Sequence, residues 1–302
     1  MAGETQARLP LLFVPNFSEG RSERVVDALG ATLGSHARLI DTHFDADHNR
    51  SVFTLAGDSD SLVAAAAAGA EHGLELIDLR AYQGVHPHIG ALDVCPFVWA
   101  EPAGREPARR AARAAAERIA ALEIPVILYG ELASTEERRE RAFFRRGGPA
   151  ELARRMREGE LAPDLGPGQP HPSAGATLVT ARAPLVAFNL ELDTPNPEIA
   201  RAVAGRLRES GGGLRGVRAL GFPLSGERSQ VSVNVHNADA VPLARVVEEV
   251  TRLAAEHGAR PIAAELVGLA PEAALRDYPD EPPIAGFDPD QHVIERVLAG
   301  GR

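Results

Sequence analysis

Twice along this chain the hydrophobic pattern alternates between a period of two and a period near 3.6 in the same order. That repetition constrains the fold more than any other feature. The second half is the cleaner copy. Residues 184–192 read as a strand, and Asn196-Pro197 opens a helix striped by Ile199, Val203 and Leu207. Residues 217–222 and 230–236 read as strands; in the latter, Val231, Val233 and Val235 alternate with Ser232 and Asn234, the period of a sheet with one buried face. Leu243, Val246, Val250 and Leu253 stripe the next helix, which Gly258 ends, and residues 261–269 complete a β-α-β-β-α-β order. The first half follows the same order. Residues 9–17, 39–44, 51–56, 91–99 and 124–129 read as strands. Helices run from about Arg21, with Val25, Val26, Leu29 and Leu33 on one face, over residues 58–70, and over 106–122 with Pro107 in the first turn. One helix and one strand are thus added to the repeated unit.

The expected fold is therefore α/β of the α+β type, in two ferredoxin-like lobes, residues 1–178 and 179–302. A length of 302 residues fits this, because it exceeds the size at which one hydrophobic core stays efficient. Between the lobes lies a segment rich in Gly and Pro, ending Gly166-Pro167-Gly168-Gln169-Pro170-His171-Pro172-Ser173-Ala174-Gly175. Such composition supports neither helix nor strand, and it suits a linker or a mobile binding loop.

A net charge of −10 argues against broad binding to nucleic acid or an acidic membrane, while leaving room for a small anionic ligand where arginines gather. The single cysteine, Cys95, rules out an intrachain disulfide and a multi-cysteine zinc site; its apolar setting predicts a buried, inert thiol. No basic segment followed by an apolar core opens the sequence, and no apolar run approaches ~18 residues, so a cytoplasmic location is expected.

Chemistry concentrates in Gly84-Val85-His86-Pro87-His88-Ile89-Gly90. Pro87 biases His86 away from helix, and an imidazole on such a loop is a proton-transfer candidate with a pKa near neutrality, or simply a turn residue. His86 and His88 alternate along an extended segment and so point opposite ways, which argues against a shared metal. Arg21 and Arg50 each end a turn motif; a guanidinium fork there suits a carboxylate, or is a solvated surface group. Asp45 and Asp47 orient a ligand or cap a turn. Arg109, Arg110 and Arg113 share a solvated helix face with Glu106 and Glu117. Arg145-Arg146-Gly147-Gly148 precedes a helix and reads as a surface turn, or as a contact for an acidic polyglutamate tail.

In these segments the chain resembles the glutamate formimidoyltransferase family. The resemblance is carried by Val14-Pro15-Asn16-Phe17-Ser18-Glu19-Gly20-Arg21, by Asp47-His48-Asn49-Arg50-Ser51-Val52-Phe53-Thr54, and by His86 to Phe97. It continues in Gly175-Ala176-Thr177, Leu185-Val186-Ala187-Phe188-Asn189-Leu190, Gln230-Val231-Ser232-Val233-Asn234 and Glu265-Leu266-Val267-Gly268-Leu269. The resemblance implies a homodimeric transferase with a ligand groove between the lobes. It implies formimidoyl transfer from N-formimidoyl-L-glutamate to N5 of tetrahydrofolate, without a metal, with His86 catalytic and Gly166 to Gly175 binding folate. Arg21, Asp47, Arg50 and Arg182 join the expected substrate or folate site. The chain departs from the family pattern at Pro170 and Ala174, where bulky aromatics are usual. It departs again at His88, where arginine is usual, and in Thr180-Ala181-Arg182-Ala183, where Gly-Ala-Arg-Lys is usual. These changes leave open a non-catalytic folate-binding or regulatory homologue, or a paralogue with a different one-carbon donor.

Overall fold

The computed structural model describes residues 10–84, 87–224 and 226–300, and its contacts divide the chain between Ala183 and Pro184 into two compact units. In the first unit the chain runs β1 (Leu11–Phe13), β2 (Asn16–Phe17), α1 (Glu23–Gly34), β3 (Arg38–Asp45), β4 (Arg50–Gly57), α2 (Ser59–Leu76) and β5 (Leu92–Trp99). It continues through α3 (Arg105–Ala120), β6 (Val126–Leu128), α4 (Arg141–Arg145), α5 (Gly148–Arg157) and β7 (Thr177–Arg182). Of residues 9–17, expected as one strand, the described part from residue 10 forms two short ones, because Pro15 has no N–H to give the ladder. Both lie between β4 and β5, antiparallel to each, and β3 pairs with the far edge of β4. The fourth, first, third and second strands of the repeat therefore lie side by side, the ferredoxin-like order. β7 then pairs parallel to β5, and β6 parallel to β7. The addition to the repeat is larger than expected, comprising α3 to α5, β6 and β7. The boundary drawn after residue 178 falls inside β7, which belongs to the first sheet.

The two faces of this sheet are covered differently. Against α1, α2 and α3 lie Phe13, Phe17, Phe53, Leu55, Cys95 and Phe97, with Leu29 and Leu33 from α1. Cys95 is fully buried there, and burial pushes its thiol well above the ordinary range, as expected of an inert thiol. On the opposite face a smaller core joins Val94, Ile127, Tyr129 and Leu178 to Phe144 of α4 and to Leu152 and Met156 of α5.

β5 breaks its own alternation where this second face begins. Phe17 pairs with Leu92 and Asn16 with Val94, so the register shifts by one residue at Asp93. Leu92 and Cys95 join the core under α1 to α3, whereas Val94 joins the other core. A bulge of this kind re-aims one side chain. Here it presents Asp93 to α4.

The second unit holds β8 (Val186–Leu192), α6 (Pro197–Leu207), β9 (Val217–Pro223), β10 (Ser229–Val235), α7 (Leu243–Ala255) and β11 (Pro261–Val267). Its sheet runs β11-β8-β10-β9, the same antiparallel order as the first. Val231, Val233 and Val235 pack with the α6 and α7 stripes, and the Asn196 side chain accepts the Glu198 N–H at the start of α6. The tail carries α8 (Pro289–His292) and α9 (Ile294–Ala299). Among the described residues no helix is long and apolar enough to cross a membrane.

Candidate active site

Four of the quoted motifs meet at one end of the first sheet. The β3–β4 hairpin closes through residues 46–49, with Asn49 in the left-handed region at φ 50°. Its Oδ1 accepts the Gly20 N–H at 2.9 Å. A side chain at Gly20 would place Cβ 2.4 Å from the Asp45 carbonyl oxygen and 2.6 Å from the Arg50 nitrogen, so this approach requires glycine. Asp45 Oδ1 takes the His48 backbone N–H at 2.6 Å and its Nδ1 at 3.0 Å. The His48 side chain holds the Asp45 carboxyl down to about 2. A carboxylate only accepts, so Nδ1 carries the proton of this pair. From the next segment the Tyr82 hydroxyl donates to the His48 carbonyl at 2.9 Å, and the His88 ring lies 3.9 Å from the Tyr82 ring at 46°. Burial pushes Tyr82 up to about 12. On the other side Ser18 donates its hydroxyl to the Gly90 carbonyl at 2.7 Å.

The Gly/Pro segment joins this end of the sheet directly. His171 and Gly175 exchange backbone hydrogen bonds of 2.8 and 2.9 Å, and His171 Nδ1 accepts the Ala174 N–H at 3.2 Å. The turn so formed is strapped down by Leu79 N–H to the Ser173 carbonyl at 2.8 Å, Ala91 N–H to the Ala174 carbonyl at 2.9 Å, and Ala176 N–H to the Ile89 carbonyl at 2.9 Å. Residues 166–175 contain no helix or ladder strand, only isolated bridges. The mobility expected of the whole loop is opposed in residues 171–175 by these bonds. Ala174 is 2% exposed within the helical core, so the residue at 174 faces protein. Gly175 adopts φ 68°, and a Cβ there would sit 2.0 Å from the Ile89 carbonyl oxygen. Gly175→Ala is therefore expected to cost ~1–3 kcal/mol from the left-handed backbone alone and to displace the strap. Thermal unfolding, with hydrogen exchange at Ala91 and Ala176, checks this. Unchanged protection at both amides would show that the strap tolerates a side chain.

Arginines dominate the charge at this end. Asp93 is 4% exposed in its side chain; Oδ1 accepts the Ile89 N–H at 2.8 Å and Oδ2 pairs with Arg145, itself only 13% exposed. The surface-turn reading of Arg145 is thus corrected, because the bulged Asp93 reaches it across the second face. Arg141 lies one helical turn before Arg145 on α4 and projects from the same side. Arg50 begins β4; Phe53 and Leu55 point into the helical core, so Arg50, Val52 and Thr54 point to the α4 face. Burial first, then the Arg145 and Arg141 cations, pushes Arg50 down to about 10. Burial and Arg145 also lower Arg141, with Tyr129 opposing. Arg182 closes β7, is pushed down to about 10 by burial, and is coupled to Tyr129 and Arg141.

Of the residues expected from the sequence, Arg50 and Arg182 lie in or beside this cluster. Arg21 is exposed and its Nε bonds the Ala46 carbonyl at 2.9 Å, bracing the hairpin turn. Asp47 is exposed in that turn. His86 lies outside the described residues, although Gly84 and Pro87 on either side of it are described. Arg141 was missed as a site residue. Asp93, which the sequence offers either as orienting the His86 imidazole or as a structural aspartate at the strand edge, bonds the Ile89 N–H and Arg145 among the described residues. The run of arginines from Arg138 to Arg146 was the one available signal, and it is ambiguous with a solvated surface. Among the described residues no three His, Cys, Asp or Glu side chains gather as metal ligands.

Residues 11–182 match the formiminotransferase domain, N-terminal subdomain, and residues 187–280 match the formiminotransferase domain. The chain belongs to the formiminotransferase family. It is 40% identical over 292 residues to the glutamate formimidoyltransferase of Streptococcus pyogenes serotype M1, covering 95% of this chain and 98% of that one. It is 38% identical to the glutamate formimidoyltransferase of Thermoplasma acidophilum, covering 94% and 96%. It is 37% identical to the formimidoyltransferase-cyclodeaminase of Sus scrofa, covering 87% of this chain and half of that protein. The family's two matched segments meet between residues 182 and 187, the same place where the contacts divide this formiminotransferase into its units.

Proposed function

We propose that this protein transfers the formimidoyl group of N-formimidoyl-L-glutamate to N5 of tetrahydrofolate, with His86 moving the proton. The observation that carries this reading is the strap. It hydrogen-bonds the segment assigned to folate onto Ile89 and Ala91, three and five residues after His86. In the reaction N5 attacks the amidine carbon, and the tetrahedral adduct then expels the glutamate nitrogen. One proton leaves N5 and one arrives on glutamate, so a single base that accepts and returns it serves both steps.

The residues present fit a folate. An aromatic surface beside the strap comes from the packed Tyr82 and His88 rings, which compensates for a loop that has Pro170 rather than an aromatic. The arginine cluster supplies the positive field that a carboxylate-rich donor and co-substrate need. In this reading His86 is catalytic, and Arg50, Arg182 and residues 166–173 contact substrate or folate, Ala174 being turned into the core. No metal takes part, and the enzyme works in the cytoplasm as a homodimer, which sedimentation would measure.

Glutamate release from formimidoylglutamate, with and without tetrahydrofolate, tests the proposal. Release that requires tetrahydrofolate is expected. Tight folate binding with no glutamate release under any condition would replace the transferase with a folate-binding homologue.

A further inference from the structure

We infer that Arg50, Arg141 and Arg145 form a clamp for the paired carboxylates of a glutamate moiety, with Arg141 as its specificity-determining arm. The inference rests on the transferase reading for the identity of the diacid, and on the cluster itself for the presence of an anion site.

Three guanidinium groups from two elements converge on the α4 face of the first sheet. Arg50 enters from the start of β4, and Arg141 and Arg145 enter together from one side of α4. The acid built into their midst is Asp93, delivered by the bulge in β5, and both of its oxygens are engaged, one by the Ile89 N–H and one by Arg145. Nearby Asp45 is committed to His48. Cations gathered at partial burial repel one another and lose hydration, a cost that a bound anion offsets. The cluster also holds an orphan donor. Arg145 Nε is buried with no hydrogen-bond partner among the described residues. A native structure seldom leaves such a donor unused, and a ligand oxygen is the ordinary acceptor in a site. Tyr129 borders the same charges, next to Arg141 and Arg145, and adds a hydroxyl, while the Tyr82 hydroxyl is committed to the His48 carbonyl.

Against these cations stand Asp93 and, more weakly, Asp45 acting on Arg50 and Glu140 acting on Arg141. The three guanidinium forks give the site the chemistry of a carboxylate receptor. Arginine forks recognise planar carboxylates bidentately, which a lysine does not reproduce. Two molecules in the reaction carry a glutamate dicarboxylate: the formimidoyl donor, and the glutamyl tail of the folate.

The test uses the full chain with Arg141→Met, which keeps the apolar stem and removes the fork, and with Arg141→Lys, which keeps the charge. Steady-state kinetics are measured with formimidoylglutamate and either tetrahydrofolate or tetrahydropteroate, which lacks the glutamyl tail. Loss of one or two charge-assisted hydrogen bonds predicts a rise of about tenfold to a hundredfold in KM, with kcat within about threefold. A rise in KM for formimidoylglutamate with both acceptors assigns the clamp to the donor. A rise for tetrahydrofolate but not for tetrahydropteroate assigns it to the folate tail. Arg141→Lys should recover part of the loss. If the wild type turns over and Arg141→Met changes neither KM, the clamp is overturned while the transferase stands.

Calorimetric titration with L-glutamate and L-glutamine separates the two readings without turnover. Binding that favours L-glutamate and is lost in Arg141→Met supports the clamp even where transfer fails. Wild-type protein that does not distinguish the two amino acids, with both KM values unmoved in the variant, rejects it.

Discussion

His86→Ala should lose about 10²- to 10⁴-fold in kcat while binding tetrahydrofolate with near wild-type affinity. A proton shuttle acts on a proton in flight, so its removal falls on the chemical step, whereas a residue that merely shapes the loop would move affinity as well. The surroundings favour this split. The segment after His86 is held by the Asp93 bond to the Ile89 N–H and by the two strap bonds at Ile89 and Ala91. Truncating the side chain leaves those bonds in place. Single-turnover kinetics with a folate titration measure both halves of the expectation, and added imidazole should restore part of kcat. Turnover within a few-fold of wild type would remove His86 from the chemistry.

Asp93→Ala should be the most destabilising single change at the site. It leaves Arg145 buried without its counter-charge, strips the Ile89 N–H of its acceptor, and leaves three arginines facing one another. Breaking a buried pair from one side costs about 3–5 kcal/mol, and at about 2–4 °C per kcal/mol the first unit should melt roughly 6–20 °C lower. Asp93→Asn separates the two tasks. Its amide oxygen still accepts from Ile89, so the loop should stay in place, while the lost charge weakens the grip on Arg145 and sharpens the cluster's demand for an anion. That variant is expected to melt between wild type and Asp93→Ala, and to gain more stability from L-glutamate than wild type does. Equal melting temperatures for Asp93→Ala and wild type would mean that Arg145 finds another partner.

Asp93 also marks where reading the chain residue by residue stops working. Alternation along residues 92–99 places Asp93 on the same side as Cys95, inside the helical core. The bulge reverses that parity, and the bulge exists because Phe17 and Asn16 pair with Leu92 and Val94 from a strand some 75 residues away. The arginines of α4 present a similar problem. A five-residue helix flanked by charge and glycine has no local signature separating a buried clamp from a solvated face; Phe144, inserted among Val94, Ile127 and Leu178, pulls the helix onto the sheet. The Gly/Pro loop was legible as irregular, since its prolines lack donors and its glycines lack preference. That it straps onto the Leu79 and Ala91 N–H groups and the Ile89 carbonyl was not, because those backbone groups lie more than eighty residues upstream.

Short-range physics was enough for much else. The valines of β10, the stripes of α6 and α7 and the Asn196 cap follow from side-chain period and local hydrogen bonding, which neighbouring residues settle among themselves. From these came the two ferredoxin-like units, and from the quoted motifs the family and the loops that carry its chemistry. Packing across the sheet decided the rest: which face of β5 receives a carboxylate, and which arginines surround it. A charge buried far from its sequence neighbours is stable only where distant segments bring its partner, and no local pattern encodes that meeting.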